Sequence, residues 1–156
     1  MNKFLLSVHV IAAIIFVGPV TVAASMFPPL ARRVLTSDQP ETGVLTVLHR
    51  ISRGYAIGGL TVPVFGIAVA VGLGVLTDYW LIISMVLTAI AAAVLAFVVL
   101  PAQARVLDAA GSSLEVREQS LPQAKALSMT TGVFALLWTV VVVLMIVRPG
   151  STTGAR

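Results

Sequence analysis

Residues 81–100 read LIISMVLTAIAAAVLAFVVL, twenty positions without one charged side chain. A helix of this length rises about 30 Å, the thickness of a bilayer's hydrocarbon core. Three other stretches have the same texture. The first covers about 4–27 and is closed by Pro28 and Pro29. Another covers about 55–76, rich in glycine and interrupted by Pro63. The last covers about 129–147 and ends at Arg148, Pro149 and Gly150. Helices are required, because lipid offers no partner to a free backbone N–H or C=O. The expected fold is all-α: an integral membrane four-helix bundle forming one domain over 1–156. It has connections at 28–54 and 101–128 and a polar tail at 148–156. The stops of spans one, three and four are placed at the prolines that follow them.

Composition leads to the same class. Of 156 residues, 58% are hydrophobic and 10% charged, with a mean hydropathy of +1.04. A soluble domain carries about 25% charged residues. The net charge of +4 does not mark a nucleic-acid binder, because the ten basic residues are scattered at the ends of apolar stretches. With no cysteine, disulfides, thiolate metal sites, iron–sulfur clusters and thiol catalysis are excluded.

The basic residues also orient the chain. Arg32, Arg33, Arg50 and Arg53 lie between spans one and two, and Arg105, Arg117 and Lys125 between spans three and four. Only Lys3, Arg148 and Arg156 lie on the other side, where the loop 77–80 carries Asp78. Seven against three places the long connections in the cytoplasm and both termini outside, in a bacterial inner membrane. A signal peptide competes for the first span, since Val22, Ala23, Ala24 and Ser25 loosely resemble a cleavage site. The apolar run exceeds the 7–15 residues of a signal core, so an uncleaved span is expected.

Packing signals concentrate in spans two and three. Gly58, Gly66, Ala70 and Gly74, then Ala89 and Ala93 with Ala92 and Ala96, follow the small-xxx-small spacing by which membrane helices approach closely. The expectation is an antiparallel hairpin of these spans at the bundle's centre, with the Val- and Leu-rich fourth span facing lipid or a partner protein. Some of the small-residue surface is available to dock another subunit. Val44, Leu45, Val47, Leu48 and Ile51 recur at helical spacing, which suggests a short cytoplasmic amphipathic helix lying on the membrane surface. Residues 102–110 read as a helical extension of span three, broken at Gly111. Tyr79 and Trp80 fit an aromatic belt, and Trp138 fills a packing gap. The tail 151–156 would need a partner to hold it in order.

Chemistry has few carriers. His9 is the one ordinary ionisable residue within the hydrocarbon zone. An intramembrane histidine can ligate haem or copper, relay protons, or bond between helices. His49 lies on the opposite side and cannot share a metal with it, so a second ligand would come from Met26, Met85, Met129, Met145 or a partner. Among the methionines, Met145 and Met85 are at the better depth. No phosphate loop, nucleophile elbow, HExxH or buried carboxylate pair is present, so no enzyme is expected and no cofactor is assigned. A transporter usually keeps an acidic group near the midplane, and all six acidic residues here fall in loops or at span ends. A small transporter subunit working as an oligomer stays an alternative.

His9, Phe16 and Gly18 resemble the His-x6-Trp-x-Gly of the first helix in CopD-type copper-resistance membrane domains. The whole chain also resembles a related bacterial family of four-helix membrane proteins without assigned function. Its marks are Leu100-Pro101 followed by Arg105, and Met145 followed by Arg148-Pro149. The first likeness implies haem or copper handling at His9; Phe16 stands where Trp is usual. The second brings no activity with it. The Ala-, Val- and Arg-rich, lysine-poor composition suggests an actinobacterium. There, small multi-span proteins serve as accessory subunits of the cytochrome bcc–aa3 respiratory supercomplex. That makes the leading expectation a non-catalytic accessory or assembly subunit. Its partners would be membrane lipids and other integral subunits, with those of the cytochrome oxidase and cytochrome bc type as the candidates.

Overall fold

The computed structural model describes residues 2–150, and within these every regular element is helical. In chain order the helices are α1 (Asn2–Leu35), α2 (Gly43–Gly59), α3 (Thr61–Leu73), α4 (Tyr79–Ala93), α5 (Leu100–Ala110), α6 (Leu114–Gln119) and α7 (Leu121–Val147). A π-helical stretch, Val94–Val99, joins α4 to α5. Four continuous helical rods result: Lys3–Leu35, Gly43–Leu73, Tyr79–Ala110 and Leu114–Val147. Each is long and apolar enough to cross a membrane. At 31–34 residues they reach about 45–50 Å, well beyond a hydrocarbon core of about 30 Å. The tail 151–156, expected to be held by a partner, lies outside the described residues.

The excess length sits at the arginine-bearing end, and here the structure departs from the stops read in the sequence. Pro28 and Pro29 lie inside α1, which runs on to Leu35. Each interior proline removes a hydrogen bond and costs a helix about 3 kcal/mol. Burial offsets this, because Phe27, Ala31 and Leu35 are fully buried. Pro101 likewise does not end its rod. The wider π turn immediately before it makes room for the ring, and π segments often occur at such points.

The stretch expected to lie as a surface helix is instead the first half of the second rod. Leu45 and Leu48 face inward, while Val44 and Val47 are exposed. The true connections are short, at 36–42 and 111–113. The break expected at Gly111 is present, and 102–110 is helical as expected.

The hairpin of spans two and three is also replaced. α1 is the central helix, packing against α2, α3 and α7, while α4 pairs with α7. The physical reason lies in the residues of α1: Ala23, Ala24 and Ala31 are small and buried, so neighbours approach its backbone. α7 therefore buries Ala124, Leu127, Thr131, Phe134 and Val141 on one side, and shows lipid the other.

The main core is concentrated at the arginine end. Leu35, Leu45, Leu48, Val106, Ala110 and Ala124, all outside the apolar spans, form one cluster with Phe27, Leu95 and Phe134. There, water drives apolar side chains together; within lipid that drive is missing. A buried polar chain lies at the same end. The Nδ1–H of His49 donates to Gln103 Oε1 at 3.2 Å, and Gln103 Nε2 donates to Ser52 Oγ at 3.4 Å. Arg117, buried in α6, donates from Nη1 to the Ser37 carbonyl at 2.6 Å and ties α6 to the first connection.

The opposite end is closed by Trp80. Its indole N–H donates to Asp78 Oδ2 at 3.0 Å. The Arg148 guanidinium lies 5.5 Å from its ring centroid. Trp80 is therefore buried rather than part of a lipid-facing belt, whereas Tyr79 is 85% exposed.

Candidate functional site

His9 comes from the second turn of α1 and is buried against α3. Its Nδ1 lies 3.0 Å from the Val62 carbonyl oxygen. A carbonyl only accepts, so Nδ1 carries the proton, and in the neutral ring Nε2 keeps its lone pair. Gly66, one turn beyond Val62, lets the ring lie flat on the helix. A methyl group at Gly66 would stand 3.0 Å from His9 Cε1, tighter than ordinary contact.

The other expected packing residues separate into four groups. Gly58 makes a close approach, since a methyl there would overlap the Phe16 ring. Ala70 is buried in a small cluster with Trp80 and Leu81. Gly74 belongs to neither group: it ends α3 in a left-handed conformation with φ of 70° and has open space around it. Its spacing mimics a packing stripe, but its role is to stop the helix. Ala89 and Ala93 are exposed, as is Ala96, so this face of the third rod is left uncovered among the described residues.

At mid-span the bundle opens. A cleft of about 50 Å3 is lined by Phe16, Gly59, Pro63, Thr88, Phe134 and Trp138, among others, drawing on all four rods. Phe16 tilts against Tyr55 with centroids 6.3 Å apart, and Phe134 meets Trp138 edge-on at 6.4 Å. The Trp138 indole nitrogen is buried without a hydrogen-bond partner. In sequence this residue reads as gap filler; nothing in its spacing reveals an unpaired donor.

Among the described residues no three His, Asp or Glu side chains converge on one point. His9 and His49 bond different partners, Val62 and Gln103. Met26, Met85 and Met129 are exposed, and Met145 packs against the cluster of Ala70, Trp80 and Leu81.

Residues 3–149 match the model of a family described as predicted integral membrane protein, DUF2269. The chain belongs to that family. Nearly the whole of the four-rod bundle falls inside the match, which carries the membrane assignment but no activity. Neither a curated protein nor a solved structure matches the chain. The likeness to CopD-type domains thus stands on His9, Phe16 and Gly18 alone.

Proposed function

We propose that this integral membrane protein is a non-catalytic subunit of a larger membrane complex, with an accessory or assembly role. The observation that carries the reading is the uncovered small-residue face of the third rod. Ala89, Ala93 and Ala96 recur at i, i+4 and i+7 and are exposed. Small residues at this spacing allow a foreign helix to approach within backbone contact, which is how membrane helices associate. The respiratory supercomplex is the named candidate, on the strength of composition alone. Extraction of the affinity-tagged chain in a mild detergent, followed by mass identification, tests the reading. Stoichiometric recovery of other integral subunits supports it, and cytochrome bc or oxidase subunits among them support the respiratory assignment. Recovery of the chain alone overturns it.

A second reading, haem or copper at His9, is favoured by one observation. The Nδ1–H bond to the Val62 carbonyl orients the ring as metal-bound imidazoles are oriented, with Nε2 left for the metal. A visible spectrum and metal analysis of the purified chain, beside His9→Ala, test this. A colourless, metal-free wild-type protein overturns it.

A further inference from the structure

We propose that the bundle hinges at one level of the membrane, so that its arginine end swings against the end closed by Trp80. The motion belongs to the microsecond-to-millisecond class of collective helix movements. Every rod carries a weak point at this level. In α1 it is Gly18-Pro19, in the second rod Gly59 and Pro63, in the third the π-helical stretch Val94–Val99, and in α7 Gly132. Prolines, glycines and π turns are the features at which helices bend.

Two observations put these points at one depth. The rod ends away from the arginines are Lys3, Leu73, Tyr79 and Val147. Pro19, Gly59, Val94 and Gly132 each lie about 14–16 residues in from them, or about 20–25 Å. The mid-span cleft gives the same answer from contact rather than counting. Val17, Val20, Gly59, Pro63, Leu95 and Phe134 line it together, and its volume of about 50 Å3 is space that side chains can move into.

The backbone at this level is continuous but weakly held. Pro19 and Pro63 lack the N–H that the Ile15 and Gly59 carbonyls accept in an unbroken ladder. Leu60 keeps helical dihedrals, φ −63° and ψ −20°, while its N–H reaches the Ile57 carbonyl only three residues back. Gly58 and Gly66 are required by the rings of Phe16 and His9, but Gly18, Gly59 and Gly132 have nothing within 4 Å of an added methyl. Packing gives these three no reason to be glycine, and alanine would stiffen each helix. Pro28, in contrast, is fully buried, which holds its turn in place.

The core is divided accordingly. The main cluster reaches from the arginine end to this level, at Leu95 and Phe134, and a separate cluster of Ala70, Trp80 and Leu81 closes the other end. The exposed alanine face runs from Ala89 to Ala96 and crosses the hinge, so a helix seated on it touches both halves. The hinge itself does not rest on that docking.

The test is amide relaxation dispersion by NMR on the full isotope-labelled chain in alkyl maltoside micelles. Exchange is expected at Gly18, Leu60, Leu95 and Gly132 with one common rate, because four rods that bend together share one motion. Gly132→Ala is expected to lower the population of the bent state about fivefold, the preference of a helix for alanine over glycine. Dispersion should then flatten in the other three rods as well as in α7. Gly54 is equally open but lies beyond the hinge level, and Gly54→Ala is expected to leave the dispersion unchanged. Flat profiles at the four sites of the unaltered chain, or rates that differ from rod to rod, overturn the proposal whether or not a variant folds. An effect of Gly132→Ala confined to α7 overturns it too.

Discussion

His9 Nδ1 and the Val62 carbonyl oxygen, 53 residues apart in sequence, lie 3.0 Å apart and join α1 to α3. The ring also fills the space left by the missing side chain of Gly66. His9→Ala removes the bond and opens a cavity, so a loss of about 1–3 kcal/mol of stability is expected. Reversible unfolding in mixed detergent micelles measures it. Gly66→Ala, which crowds the ring, is expected to cost less, since the imidazole can shift by a few tenths of an ångström.

Gly58 and Phe16 form the tighter contact of the same interface. Gly58→Ala forces the Phe16 ring to move, at an expected cost of about 1–3 kcal/mol. Phe16→Leu in the Gly58→Ala background is expected to recover at least half of that. A double-mutant cycle reads the coupling; additive losses would show that the two residues do not meet.

Gly18 and Gly74 should respond in opposite directions. Gly18 is inside α1 with open space where a methyl would go, so Gly18→Ala is expected to stabilise by about 0.5–1 kcal/mol. Gly74 has φ of 70°, and Gly74→Ala is expected to destabilise by about 1 kcal/mol. Unfolding midpoints of the two variants check both signs.

These glycines show what was legible in the sequence. The four apolar rods were plain, because hydrophobic length alone dictates them. Small-residue spacing singles out Gly58 and Ala70 but not their neighbours, which are Phe16 of α1 for Gly58 and Trp80 and Leu81 for Ala70. Gly74 was misassigned because four-residue spacing is shared by a packing face and a helix end. The prolines at 28, 29 and 101 were read as stops because propensity is a local argument; burial of Phe27, Ala31 and Leu35 and the π turn before Pro101 are tertiary facts. The pairing of α1 with α2, α3 and α7 was hidden for the same reason. Unpaired Trp138 could not be found from sequence, because lacking a partner is a property of neighbours.

Gln103 ties His49 to Ser52 at the arginine end, and both Gln103 and Ser52 are fully buried. Gln103→Leu leaves two polar side chains without their partner, at an expected cost of about 1–3 kcal/mol. The double variant Gln103→Leu/Ser52→Ala is expected to regain part of the loss. Unfolding measurements on the single and double variants test this, and no recovery would show that Ser52 is not coupled to Gln103.

The uncovered alanine face of the third rod is expected to meet another membrane subunit. Photo-cross-linking from a benzophenone amino acid at Ala93, in the cell's own membrane, addresses it most directly. One discrete heteromeric adduct is expected, reduced when Ala89 is changed to Leu to block the face. An unadducted chain, or an adduct with lipid alone that is indifferent to Ala89→Leu, would contradict it.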